Sequence, residues 1–170
     1  LLTETANTVH VDGDDLIIDH CHIDRRMTPL NLYIRSAPPE QAEQTVLDYG
    51  AGAGDAYRSP HKIYKTWGLP ISSITLYDPS FKRHEKKPDR RFDVVVCSDV
   101  LEHIPEDEVP RFIADLFNHA KLGVWASVCC RPAKKFFPGT DINLHCTIKP
   151  MEWWQERFTQ AEKLAAIGQL

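Results

Sequence analysis

No stretch of this chain reaches membrane-spanning length, and its first residues lack the pattern of a signal peptide. Paired C-x-x-C spacing is missing as well. The five cysteines are odd in number and sit largely in apolar runs (Cys97, Cys129, Cys130), which excludes a disulfide framework or a zinc site of recognised spacing. They read as reduced thiols of a cytoplasmic protein. Charge of one sign is scarce: the net value is −4, so no overall basic field draws the chain to nucleic acid or anionic lipid. Neither end looks natural, since Leu1 is not methionine and Leu170 marks no obvious stop. The expectation is a fragment. What remains is an ordinary globular composition, 42% apolar and 26% charged over 170 residues, enough for one domain with a real core.

The most informative stretch runs from Val46 to Asp55, V-L-D-Y-G-A-G-A-G-D. An apolar run enters a loop with glycine at every second position, and residues 56–67, with Ala56, Ile63 and Trp67 at helical spacing, are expected to form a helix stopped by Gly68 and Pro70. Such a turn lets backbone approach a ligand closely, because no Cβ intervenes. The spacing is not the dinucleotide fingerprint G-x-G-x-x-G. Asp48 stands two residues before the first glycine; there a carboxylate would repel a pyrophosphate but accept hydrogen bonds from an ammonium group.

Further along, residues 73–77 read as a strand ending in Asp78-Pro79, and F-D-V-V-V-C-S, residues 92–98, as a strand buried on both faces. The latter runs into D-V-L-E-H-I, residues 99–104. With these segments on the page, the chain resembles the class I SAM-dependent methyltransferases. The resemblance covers about residues 45–130. It implies an α/β fold: a Rossmann-like, mostly parallel sheet with helices on both faces. Only thirteen residues, 79–91, separate the second strand from the next, so the third strand or its helix is expected to be lost. A sixth strand is expected at residues 163–167, and nothing remains for a seventh.

The resemblance further implies S-adenosylmethionine as cofactor and methyl transfer to an oxygen or nitrogen acceptor, with a small molecule preferred and nucleic acid left open. Asp48, Tyr49, Gly50, Ala51, Gly52 and Gly54 would hold the methionine side. Asp78 and Pro79 would take the ribose, and Ser98, Asp99 and Val100 would line the methyl centre. His103 and His145 are the candidate bases. No metal is assigned. One alternative is a divalent-metal-assisted O-methyltransferase acting on an RNA 2′-hydroxyl or a small molecule, through Asp99, Glu102, His103 and His145. Another is a non-catalytic SAM-binding or interaction domain.

The rest is read by position. Residues 1–44 form an extension, with a hairpin around Asp12-Gly13-Asp14-Asp15 and a short helix over 30–35, and residues 45–170 form the catalytic domain. His20, His22 and Asp24 alternate like metal ligands but lack a second ligand group, so they read as a strand end or loop with exposed imidazoles. Val109, Phe112, Ile113, Leu116 and Phe117 predict an amphipathic core helix opened by Pro105. Residues 122–130 predict a strand, residues 131–149 a long loop, and Met151, Trp154 and Phe158 one side of a last helix.

Overall fold

The computed structural model describes residues 9–12, 15–18, 44–59, 65 and 71–168. Its frame is one six-stranded sheet in the order β1-β2-β6-β5-β3-β4. The strands are β1 (Val9–Asp12), β2 (Asp15–Ile18), β3 (Val46–Tyr49), β4 (Ile74–Tyr77), β5 (Phe92–Ser98) and β6 (Ala120–Cys129). The four strands from β3 to β6 are parallel, and β1–β2 is an antiparallel hairpin whose second strand pairs antiparallel with β6. The fold is α/β with a mostly parallel sheet, as the resemblance implied.

β5 owes its central place to composition. Val94, Val95, Val96 and Cys97 are all buried, so β-branched side chains fill both faces and no polar face is left for solvent. Asp93 ties this strand to β3, accepting hydrogen bonds from the Thr45 N–H at 2.7 Å and the Thr45 hydroxyl at 2.8 Å, with Lys121 at 3.1 Å. Helix α1 (Val109–His119) buries Val109, Ile113 and Leu116, three residues that recur every three to four positions, while Phe112 and Phe117 pack at the margin. It lies against β5 and β6 and carries helix α2 (Met151–Ala166) on its flank. In α2 the buried residues are Trp154, Phe158 and Ala161, spaced by four and three. Trp153, next in sequence to Trp154, packs against the margin of the core under the Arg157 guanidinium, which stacks 3.3 Å from its ring centre.

Three local expectations are corrected. Residues 163–166, expected to begin a sixth strand, are the last turn of α2: Ala165 and Ala166 extend a helix already begun, and alanine has the highest helix propensity. α1 begins at Val109, not Pro105, because residues 106–108 form a turn closed by the Glu108 N–H and Val109 N–H on the Pro105 carbonyl. β6 starts two residues early, at Ala120. Between β4 and β5 the chain makes turns only, so the compression read from residues 79–91 is present. The helix expected over 56–67 is described at its start as a 3-10 turn, Asp55–Tyr57; most of its remainder lies outside the described residues, as do His20, His22, Asp24 and the helix over 30–35.

Candidate functional site

β3, β4 and β5 deliver their following loops to one edge of the sheet, the carboxyl edge, where β3 has β4 on one side and β5 on the other. After β3 the chain enters the glycine bend. Gly50 adopts φ 98°, and a Cβ there would stand 2.3 Å from a Val100 methyl. Only glycine fits. Gly54, at φ 74°, has Leu76 in the same relation, at 2.8 Å. The bend is stitched to β4: the Gly50 and Ala51 N–H groups both donate to the Tyr77 carbonyl, at 2.8 and 3.1 Å. The Gly52 N–H donates to Asp78 at 2.8 Å, and the other Asp78 oxygen accepts from the Ser80 N–H at the same distance.

Asp48 lies below this bend, 9% exposed, and accepts a 2.6 Å hydrogen bond from the Tyr57 hydroxyl. Burial pushes its carboxyl up to about 6; the Tyr57 bond pulls the other way, and the Asp78 charge adds to the rise. Burial, with the Asp48 charge beside it, also pushes the Tyr57 phenol up. Tyr49 points elsewhere. Its ring packs between Tyr77 and Phe112, and its hydroxyl donates to Asp115 on α1. Pro79 begins the turn that carries Phe81 and His84 back against the bend, closed by the Asp78 N–H on the His84 carbonyl at 2.9 Å.

The loop after β5 closes the third side. Asp99 takes φ 53° and accepts from the Ser127 hydroxyl at 3.1 Å, while the Ser98 hydroxyl shares a 2.8 Å bond with Ser127. Val100 then covers Gly50, and a 3-10 turn, Leu101–His103, buries Leu101 and Glu102. His103 and His145 meet edge to face, ring centres 4.8 Å apart, with His103 Nδ1 on the Leu144 carbonyl at 2.8 Å and His145 Nδ1 on the Arg131 carbonyl at 2.6 Å. The two histidines therefore stand together. Glu102, Cys129 and His145 also converge, each offering a ligand atom within 4.8 Å of the others. Sequence reasoning passes over Tyr57, and sees Cys129 only as a thiol in an apolar strand. Neither has a motif around it; the fold alone brings each to its partner.

Comparison with known proteins finds part of the chain similar to a different class from the one its motifs resemble. Residues 1–59 match the family of the isocitrate dehydrogenase kinase/phosphatase (AceK) kinase domain. An isocitrate dehydrogenase kinase/phosphatase of Xanthomonas euvesicatoria pv. vesicatoria (strain 85-10) is 44% identical over 59 residues, 35% of this chain and 10% of the relative. That of Methylibium petroleiphilum is 46% identical over 44 residues, 26% of this chain and 7% of the relative. That of Burkholderia multivorans is 33% identical over 80 residues, 44% and 13%. The chain thus spans about a tenth of the length of these relatives.

This finding corrects the expectation of a class I SAM-dependent methyltransferase, and with it S-adenosylmethionine as cofactor and methyl transfer as the reaction. The metal-assisted O-methyltransferase and the SAM-binding domain fall with it. Of the segments that carried the resemblance, the glycine stretch from Val46 to Gly54 lies inside the part matched to the kinase/phosphatase family, and residues 78–104 lie beyond it. The structure supplies a physical reason why D-x-G-x-G-x-G arises without that cofactor. Gly50 and Gly54 are demanded by Val100 and Leu76, Gly52 by its left-handed backbone at φ 56°, and Asp78 is engaged by the chain's own Gly52 and Ser80 N–H groups.

Proposed function

We propose that the chain takes part in phosphoryl transfer on isocitrate dehydrogenase, as one segment of a kinase/phosphatase. The observation that carries this is the match of residues 1–59 to that kinase domain, which runs through β3 and the glycine bend. Within the matched segment, Asp48 is the group equipped for chemistry. A carboxyl pushed up to about 6 and held by Tyr57 exchanges a proton readily near neutral pH, as a hydroxyl gaining or losing a phosphoryl group requires. The reading carries a cytoplasmic location with it. Cys97, Cys129, Cys130 and Cys146 are thiols, and no helix among the described residues is long and apolar enough to cross a membrane.

A kinase draws its phosphoryl group from a nucleoside triphosphate with a divalent ion. The glycine bend does not fit those phosphates. Its Gly50, Ala51, Gly52 and Gly54 N–H groups are spent on Tyr77, Asp78 and Ala51, and two carboxylates lie beside them. In this reading the bend is not the cradle of the donor, and the segment that carries it serves the acceptor protein. Titration of the full chain with isocitrate dehydrogenase, phosphorylated and not, tests this. Saturable binding of at least one form is expected; indifference to both contradicts the reading.

A further inference from the structure

Beyond residue 59, and independent of the phosphoryl-transfer reading, three side chains from three elements meet. Glu102 comes from the turn after β5, Cys129 from the end of β6 and His145 from the long loop that follows. We propose that Glu102, Cys129 and His145 form a zinc-binding site. Their carboxylate oxygen, thiol sulfur and imidazole nitrogen lie mutually within 4.8 Å, so side-chain adjustments of about an ångström bring them to the spacing that one tetrahedral ion with ligand bonds of about 2.0–2.3 Å requires. The donor set is mixed in the way that suits a borderline-soft cation. Magnesium and calcium favour oxygen throughout, whereas zinc takes oxygen, nitrogen and sulfur together.

The surroundings hold each ligand in place. The Arg131 carbonyl, 2.6 Å from His145 Nδ1, keeps the proton on that nitrogen and leaves the lone pair on Nε2. The Cys129 N–H donates to Glu102 Oε1 at 3.1 Å, fixing the carboxylate, which is on a residue 1% exposed. The loop that presents His145 is itself pinned. Asn143 accepts from the Ala133 and His145 N–H groups and donates to the Ala133 carbonyl, all at 2.9 Å. Thr147 clamps it to the Glu102 turn, its N–H on the Glu102 carbonyl at 3.0 Å and its hydroxyl on the Ile104 carbonyl at 2.6 Å. Binding replaces the Cys129 thiol proton, released to solvent, with the metal, and three protein ligands leave the fourth tetrahedral position to water.

The test is equilibrium dialysis of the purified full chain against zinc, with cobalt(II) as a spectroscopic substitute. One zinc per chain is expected, and cobalt should give a thiolate-to-metal charge-transfer band. Cys129→Ser should abolish the band, and His145→Ala should weaken binding by at least about tenfold, with the circular dichroism of both unchanged. Cys130→Ser and Cys146→Ser should leave band and affinity as they are. Absence of the band in the wild type overturns the proposal without recourse to any variant. So does zinc whose affinity survives both Cys129→Ser and His145→Ala and falls only in a His20→Ala, His22→Ala double variant.

Discussion

Gly50 combines a left-handed backbone with a neighbour that leaves no room for a side chain. Gly50→Ala should therefore cost about 2–4 kcal/mol, from backbone strain plus overpacking. Val100→Ala in the same chain should return the steric part and not the strain, which a double-mutant cycle by urea unfolding would resolve. Asp48 makes a different prediction, through pH. Its folded value, about 6, lies above the ordinary 3.8, so the folded state holds this proton more tightly than the unfolded chain. The resulting stabilisation is full below 3.8 and is lost as pH rises towards 6, roughly 2–3 kcal/mol in all. Asp93 acts in the opposite sense and in a lower window. Burial works to raise its carboxyl, but Thr45 and Lys121 outweigh that and leave it below 3.8, so its stabilisation is present above 3.8 and lost on further acidification. Unfolding midpoints measured from pH 4 to 7 should fall in the wild type and stay nearly level in Asp48→Asn.

At the scale of elements, α2 is held by Trp154, which is fully buried, with Phe158 and Ala161 one and two turns on. Trp154→Ala should cost about 3–5 kcal/mol, enough to loosen α2 from α1. Trp154→Phe should cost clearly less, because the indole Nε1 has no hydrogen-bond partner among the described residues and its removal relieves a buried polar atom. Thermal unfolding of the two variants side by side distinguishes these outcomes. The elements were legible where periodicity was long and one-sided, as in α1, or where a β-branched run was continuous, as in β5. Legibility failed at residues 163–167. A short apolar run there fits a strand as well as a helix end, and only the packing of Trp154, Phe158 and Ala161 upstream decides that the helix continues.

For the whole molecule, the α/β class followed from the resemblance, and the compressed β4–β5 connection from the spacing of strand signals. The chemistry did not. D-x-G-x-G-x-G describes a bend between two strands; Val100 and Leu76 account for Gly50 and Gly54, and Tyr77, Asp78 and Ala51 take the N–H groups of the bend, without reference to a ligand. A fold of this kind serves many reactions, so its motifs carry little information about which one. The information lay instead in residues 1–59, most of them in a stretch whose periodicity is weak but whose sequence matches kinase/phosphatase relatives. Glu102 and His145 stand together among the candidate metal ligands read from the sequence, but Cys129 does not: it lies 27 positions from Glu102, and no local pattern marks a site assembled across strand ends.

The most direct measurement is phosphoryl transfer in both directions by the purified full chain together with isocitrate dehydrogenase: label from γ-labelled ATP entering the protein, and label leaving the phosphorylated protein. Transfer is predicted in the wild type, and a loss of about 10²–10⁴-fold in Asp48→Asn, which keeps the Tyr57 contact but cannot take the proton. No movement of label in either direction, or full transfer by Asp48→Asn, would contradict the role proposed for this segment.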